Sequence, residues 1–396
     1  KDTLFRVSES DVVYDNNVLV INNLKVQHDD QHVIINGRAD RNSNDSIEAD
    51  ISNIDVPYIL NFVKFSAVSF TGKANGHAVV KKLFSKPEAN AMLTVDNFTF
   101  EEGRMGTLYA SATWNNEDTQ IDINALCDDE GRETLITGYV SPKHNYIDLA
   151  IQAQNTRGEF VANYCKSFLS DAELSCTGKC RLWGDLSYIN LTGLLYATGK
   201  MHVKSLGTDY TLRDQLVELV PNDILFPSDT IVDKYGHIGV VTGALHHQYL
   251  SRLTYDIAVQ PQNMLCYDFS TYGNEIFFGK AFCTGKCDII GRPGNITFNI
   301  NAKVDKGSFV EYNASNPDAI TGQQFIKWND RTISKINTQW SAVNDGWDDY
   351  PSDIRMNITA TVDPQSTLRV LIDSRSHDLI TLHGSGDLLA PYYNKG

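Results

Sequence analysis

Apolar and polar residues alternate along most of this chain. Ile121-Asp122-Ile123-Asn124-Ala125 and Ile147-Asp148-Leu149-Ala150-Ile151-Gln152-Ala153 place an apolar side chain at every second position. Ile296 to Val304 and Met356 to Val362 do the same. A period of two predicts strands with one dry and one wet face. Turn signals lie beside these runs: Asn115-Asn116-Glu117-Asp118, Asp128-Asp129-Glu130-Gly131 and Arg292-Pro293-Gly294-Asn295. Strand, turn and strand at this spacing predict antiparallel hairpins and meanders. Helical spacing is confined to Val56–Ala67 and Arg157–Leu169, each long enough for one short helix between strands.

The chain also repeats itself. Ser69-Phe70-Thr71-Gly72-Lys73-Ala74 aligns with Ser175-Cys176-Thr177-Gly178-Lys179-Cys180 and with Phe282-Cys283-Thr284-Gly285-Lys286-Cys287. Ile35-Asn36-Gly37, Ile136-Thr137-Gly138 and Val241-Thr242-Gly243 keep the same phase, and Leu382-His383-Gly384 is a weaker fourth copy. The spacing predicts an incomplete leading repeat over 1–36, then units at 37–137, 138–242 and 243–396. Where the first two units carry a helix-like segment, the third has Cys266-Tyr267-Asp268-Phe269. The last unit is longer, and 313–352, rich in Asn, Asp, Gln, Ser and Trp and without alternation, reads as an inserted loop. Its removal is expected to leave the flanking strands able to pair.

Composition narrows the function classes. The 396 residues carry 34 Lys and Arg against 49 Asp and Glu, a net charge of −15, which argues against a general nucleic-acid binder. No apolar run reaches the roughly 20 residues of a membrane-spanning helix, and no signal peptide is visible, so the chain is read as a soluble piece of something longer. The seven cysteines are Cys127, Cys165, Cys176, Cys180, Cys266, Cys283 and Cys287. Two C-x3-C spacings invite a zinc reading. The repeat phase answers it: these cysteines stand where Phe70 and Ala74 stand in the first copy, as small apolar residues. Two residues four apart on a strand are about 13 Å apart, too far for one metal or one disulfide. Lys73, Lys179 and Lys286 fall on the wet face.

Enzymatic motifs are missing. There is no Gly-x-Ser-x-Gly elbow, no His-Glu-x-x-His and no phosphate-binding glycine loop. His246 and His247 face opposite sides of a strand and are expected at the surface. Asp128-Asp129-Glu130 and Asp348-Asp349 read as solvated turn acids, with a weak calcium site as the sharper alternative. Asp122, Asp148, Asp256 and Asp288 sit on the wet phase, so no pair of inward carboxylates is seen. Neither a catalytic residue, a metal site nor a cofactor is assigned, and the chain is read as non-enzymatic. The dry face either packs on a second sheet or lines a trough. Small residues at Gly72, Ala74, Gly76, Gly178 and Gly285 favour the trough, although strand glycines also mark bends.

The order and spacing of several stretches resemble the C-terminal part of the TamB family, the inner-membrane subunit of the translocation and assembly module, in its Bacteroides-type form. They are Asp209–Asp214, Ile231–His237, Thr242–Tyr249, Phe278–Gly285 with Ile290-Gly291 and Ile296–Val304, and Val362–Asp373 with Asp378-Leu379-Ile380 and His383–Leu388. Leu19–Gly37 looks like a family repeat start. Phe282, Cys287 and the 313–352 stretch depart from the family pattern. The resemblance implies an all-β fold, an elongated curled antiparallel sheet (a β-taco or repeating β-groove) with one or two short helices. It implies phospholipid passage between inner and outer membranes in the periplasm, supporting outer-membrane biogenesis and protein secretion. An N-terminal inner-membrane anchor helix outside this chain would provide the membrane contact. Implied partners are phospholipid acyl chains and an outer-membrane β-barrel of the BamA/TamA type, with no nucleic acid. A chaperone-like scaffold for barrel assembly and an extracellular β-sandwich adhesin are the alternatives.

On this expectation the groove lining comprises Val68, Phe70, Ala74, Ile121, Ile123, Ile147, Leu149 and Ile151 in the first half of the chain. Cys176, Cys180, Leu182, Leu253, Tyr255 and Ile257 follow, then Cys283, Cys287, Ile289, Ile296, Phe298 and Ile300. Met356, Ile358, Leu368, Val370 and Ile372 complete it.

Overall fold

The computed structural model describes residues 6–7, 11–41, 44–62, 65, 67–161, 169–269, 277–313, 353–362, 364–373 and 378–394. The strands begin with β1 (Arg6–Val7), β2 (Asp11–Asp15), β3 (Val18–His28), β4 (Gln31–Ala39) and β5 (Ser46–Asp55), which leads into helix α1 (Val56–Phe62). Next come β6 (Phe70–Lys81), β7 (Glu88–Phe100), β8 (Gly103–Asn115), β9 (Gln120–Asp129), β10 (Arg132–Ser141), β11 (Tyr146–Arg157) and β12 (Leu169–Asp185). They are followed by β13 (Tyr188–Val203), β14 (Thr208–Val220), β15 (Asp223–Asp233), β16 (Ile238–Gln248), β17 (Ser251–Gln262) and β18 (Met264–Phe269). The last are β19 (Phe277–Arg292), β20 (Asn295–Val304), β21 (Phe309–Asn313), β22 (Asp353–Val362), β23 (Thr367–Asp373), β24 (Asp378–Leu382) and β25 (Gly386–Asn394). The protein is thus nearly all β, and its strands belong to one sheet that is mostly antiparallel. The second expected helix begins at Phe160-Val161, and the rest of it lies outside the described residues.

Contacts divide the chain into two compact units. The first is Lys1–Met201 with Thr211–Thr230 and Val241–Tyr255; the second is His202–Tyr210 with Ile231–Val240 and Asp256–Gly396.

In the first unit β3 to β12 pair antiparallel in chain order. Flat, β6 and β12 would lie about 29 Å apart, six steps of about 4.8 Å. Yet Phe65 and Phe70 share one apolar cluster with Val140, Ile147, Leu182, Leu186 and Ile189. The sheet of this unit therefore curls onto its dry face. Helix α1 lies on that face: Val56, Ile59 and Leu60 pack against Ala74, Val95, Phe98 and Cys127.

The device that bends the strands is repeated. Asn23, Asn53, Asn155, Asp214 and Asn263 all have φ between 48° and 53°. At Asn23, Asn53 and Asn155 the pairing register shifts, as in a β-bulge. Each of the five donates its N–H to the side-chain oxygen of a residue that stands just before a glycine. The acceptors are Asn36, Asn75, Thr177, Thr198 and Thr284, at 2.7–3.0 Å. Gly178, after Thr177, has φ +152°, and a Cβ there would lie 2.3 Å from the Leu194 carbonyl oxygen. Thr177-Gly178 and Thr284-Gly285 are thus bulge receivers whose glycines admit a close approach of the neighbouring strand, and these small residues serve the bend rather than an empty trough. Gly37, Gly138 and Gly243 stand on β4, β10 and β16, so one sequence period is six strands. Gly384 departs from this, lying between β24 and β25 with no neighbouring atom near its Cβ direction.

The second unit contains a different connection. The first half of β19 pairs with β21 and the second half with β20, so β20 and β21 form one broken line along it. β22 and β23 then run parallel to β20 and β21. Asp353 opens β22 beside Asn295, whereas Asn313 closes β21 beside Leu371. The chain must return about 60 Å, the length of 18 extended residues, between 313 and 353. This corrects the expectation of a dispensable insert. Parallel neighbours require a crossover, and a short linker cannot supply one. The conformation of 314–352 lies outside the described residues, as do Asp348, Asp349 and Cys165.

Candidate functional site: the apolar face of the sheet

The first unit lines up its dry positions across ten strands. One row runs Val26, Val33, Ile51, Gly76, Leu93, Ala110, Ala125, Ile136, Ile151, Cys180, one residue from each of β3 to β12. The adjacent row runs Leu24, Ile35, Ala49, Ala78, Ala91, Ala112, Ile123, Gly138, Leu149, Leu182. Neither contains a polar side chain. The rows arise because hairpin turns keep the pairing in phase from strand to strand. Glu130-Gly131, with φ of 57° and 85°, is one such two-residue turn.

Of the expected lining residues, Ile123, Leu149, Ile151, Cys180 and Leu182 stand in these rows. Ala74, Ile147, Leu182, Leu253, Tyr255, Ile296, Phe298 and Met356 are buried. Val68, Phe70, Ile121, Ile123, Leu149, Ile151, Cys176, Cys180, Ile257, Cys283, Cys287, Ile289, Ile300, Ile358, Leu368 and Val370 are half-buried. Ile372 departs: it is 50% exposed, and Leu371 takes the buried place. A register shift between Leu371 and Asp373 turns the alternation there.

Burial explains the behaviour of the thiols. It pushes Cys127, Cys180 and Cys287 up to about 12 and Cys176 up to about 11. Among the described residues no group of three His, Cys, Asp or Glu is placed to hold a metal. Lys73 pairs with Asp55 at 3.0 Å and Lys286 with Asp288 at 2.9 Å, both on the polar face.

Several polar groups stand on the dry side, where alternation did not place them. Asp129 is buried, not a solvated turn acid. Burial opposes its charge, but Arg157 and Arg104 outweigh that and hold its carboxyl below the usual range. One carboxylate oxygen pairs with Arg104 and the other with Arg157. His246 is exposed and pairs with Asp223 at 2.5 Å. His247 is buried, against the surface expectation. Its Nδ1 accepts from the Leu250 N–H at 3.1 Å, and its buried Nε2 finds no hydrogen-bond partner among the described residues. Burial lowers its pKa, so the ring is neutral. Asp229 is buried too, and desolvation pushes it up to about 6. In the second unit the Asp233 carboxylate accepts from the N–H groups of Tyr235, His237 and Leu265 at 2.7–2.9 Å. Burial raises its pKa, but these bonds prevail and leave it lowered. Asp233 therefore clamps a turn.

Strands β24 and β25 contrast with these interiors. All of β24 is exposed, including Leu379, Ile380 and Leu382, and Leu389 on β25 is 75% exposed. A shallow depression in the second unit is lined by Lys286, Asp288, Asn299, Asn301, Asn357 and Thr359 together with Ile300 and Gly285. Asn357 donates to Asn299 there at 2.8 Å.

Among the described residues no helix is long and apolar enough to cross a membrane. No protein-family model, no curated protein and no solved structure matches this chain.

Proposed function

We propose that the chain is a non-enzymatic apolar β-groove segment that carries phospholipid acyl chains along its dry face, as the resemblance to the TamB family implies. The observation that supports this reading is the pair of unbroken apolar rows across β3 to β12. Acyl chains slide along a wall that offers dispersion and dehydration but no strong polar anchor. Each methylene removed from water contributes about 0.8 kcal/mol, enough for a two-chain lipid to leave solvent. Helix α1 shares the face, so the lipid path would run beside it rather than through the packed cluster of Ala74, Val95 and Cys127. The headgroup would stay at the wet rim, in the periplasm between the two membranes.

A second reading, a chaperone-like scaffold for outer-membrane barrels, is favoured by the exposed apolar strand β24 and by β25, which pairs with β22. A barrel strand could add to such an edge. The adhesin alternative requires two packed sheets, whereas the described strands belong to one.

Leu93→Asp tests the lipid reading. Leu93 stands half-buried in the first apolar row and belongs to neither apolar cluster described above, while its neighbour Met92 is exposed on the other face. Leu93→Asp is expected to stay folded by circular dichroism and to lose co-purified phospholipid measured by mass spectrometry. Met92→Asp is expected to retain it. Equal lipid content in wild type and Leu93→Asp would refute the conduit.

A further inference from the structure

One hairpin tip of the first unit differs in chemistry from the tip beside it. Between β6 and β7 the chain reads Lys81-Lys82-Leu83-Phe84-Ser85-Lys86. The Ser85 N–H closes the turn on the Lys82 carbonyl at 3.0 Å, which puts Leu83 and Phe84 at its corner. Leu83 is exposed, and the Phe84 ring lies 6.1 Å from that of Tyr14, itself 61% exposed on β2. Val12 and Val13 beside Tyr14 are exposed as well. Strands β3, β4 and β5 lie between β2 and β6, so the fold and not chain proximity joins these residues into one apolar patch. Lys82 is held by Glu88 at 2.5 Å, which leaves Lys81 and Lys86 for an outside anion. Three lysines thus border two apolar residues in a chain whose net charge is −15. Contacts continue along the same end of the strands. Asn116 donates to the Pro87 carbonyl at 2.6 Å, the Ser141 hydroxyl to the Thr119 carbonyl at 3.1 Å, and the Leu186 N–H to the Asn145 carbonyl at 3.4 Å. Beyond them the exposed Tyr188 meets Tyr249 at 5.1 Å, so this end carries a second aromatic tip.

We propose that the β6–β7 tip is a membrane-contact site: Leu83, Phe84 and Tyr14 enter the interfacial layer of an anionic bilayer, and Lys81 and Lys86 meet its headgroup phosphates. Apolar side chains at the corner of a turn gain by leaving water, and a tyrosine suits the boundary between acyl chains and headgroups. Lysines beside them are drawn to the negative surface. Each contribution is weak and reversible alone, and the combination holds the tip at the surface. A protein partner would cover the apolar corner without needing lysines around it. A nucleic acid would offer phosphates but no apolar layer for Leu83. The next tip carries Glu117 and Asp118, which the same surface repels, so the contact is confined to β6–β7 and weakens with salt. The site goes beyond the conduit reading, since it concerns how the chain meets a bilayer and not what its dry face carries.

The test is flotation of the purified chain with vesicles of phosphatidylcholine alone or with about one-third phosphatidylglycerol, at about 0.05 M and about 0.5 M salt. The wild type is expected to partition onto the anionic vesicles at low salt. Its partition coefficient should fall at least about ten-fold on phosphatidylcholine alone or at high salt. Leu83→Asp, and the pair Lys81→Gln with Lys86→Gln, should each lower the coefficient on anionic vesicles about ten-fold. These side chains are exposed, so the circular dichroism of both variants should match the wild type. If a variant misfolds, the wild-type dependence on lipid charge and salt decides. Leu93→Asp should float like the wild type, which separates failure of this site from failure of the conduit. Absence of flotation, equal flotation on the two vesicle types, or wild-type flotation of both tip variants overturns the proposal. So does a lipid-free dimer in sedimentation that Leu83→Asp abolishes, which would assign the patch to a second copy of the chain.

Discussion

The ten-strand meander of the first unit and the C-terminal strands of the second are built from the same alternating pattern, yet they solve different problems. In β3 to β12 every neighbour in the sheet is also the neighbour in sequence, so tight turns set the register and the dry positions stack into rows. In β20 to β23 the neighbours run parallel, and their register depends on a chain return of about 60 Å between 313 and 353. The first arrangement encloses its apolar face, as Ile147 and Leu182 are buried. The second ends in strands with Ile372, Leu379, Ile380 and Leu382 exposed. Local pairing thus delivers a self-sufficient wall. Long-range pairing delivers an end whose apolar surface the described chain leaves uncovered.

The comparison is most easily broken at the crossover. Replacing 314–352 by six flexible residues, which reach about 20 Å, is expected to detach β22 to β25. A 39-residue Gly/Ser replacement should preserve them, because its contour exceeds the span. Limited proteolysis C-terminal to Asn313 checks this. Resistance of the six-residue variant would mean that the parallel pairing is wrong.

A charge placed on the dry phase should distinguish the two regions next. Ile147→Asp sets a carboxylate into a packed cluster and is expected to cost more than about 4 kcal/mol, enough to unfold the unit. Ile372→Asp, on the exposed end, should cost less than about 1 kcal/mol. Denaturant midpoints measure both, and equal losses would erase the distinction.

Glycines give a third contrast. Gly138 has φ +147°, and a Cβ there would lie 2.1 Å from the Asp148 carbonyl oxygen. Gly138→Val should therefore destabilise by roughly 3 kcal/mol or more. Gly386, with no atom within 4 Å of its Cβ direction, should accept valine within about 1 kcal/mol. Comparable thermal midpoints for the two variants would remove the bend from the account of the meander.

The smallest effect concerns pH. Asp229 has its pKa raised to about 6 by burial, so the folded state holds a proton that the unfolded state releases. Its contribution is fully present below the unfolded value of about 3.9 and is lost as pH rises through 6. Asp229→Asn should raise stability at pH 7.5 by roughly 2 kcal/mol and flatten the profile between about 4 and 6. His247 acts in the opposite sense. Its lowered pKa gives stability that is present above about 6.5 and declines as pH falls. Urea titrations at pH 4.5, 6 and 7.5 separate the two; an unchanged profile in Asp229→Asn would place that carboxyl in solvent.

Most of the wall was legible from alternation alone. Ile147, Leu149 and Ile151 share a face because successive side chains on a strand must point to opposite sides, and the pairing confirms them beside Val140, Gly138 and Ile136. The Thr-Gly repeat was visible as a pattern, but its purpose was not. A Thr hydroxyl that captures an N–H from a left-handed Asn exists only between two strands, and the partner lies 22 residues away in the case of Asn155 and Thr177. Local period likewise said nothing of Asp129. Its burial depends on Arg157, which follows 28 residues later.

By itself the sequence determined the strands, their dry phase, the hairpin turns and a period near 105 residues, all short-range consequences of side-chain alternation and turn chemistry. Tertiary structure alone decided that α1 lies on the apolar face of the first unit, that His247 and Asp229 are buried, and that β20 and β22 run parallel. Each of these is a meeting of residues distant along the chain or a choice of face at a strand end. Such choices turn on which partner removes more apolar surface from water and satisfies more backbone groups, and a single strand carries no record of that competition.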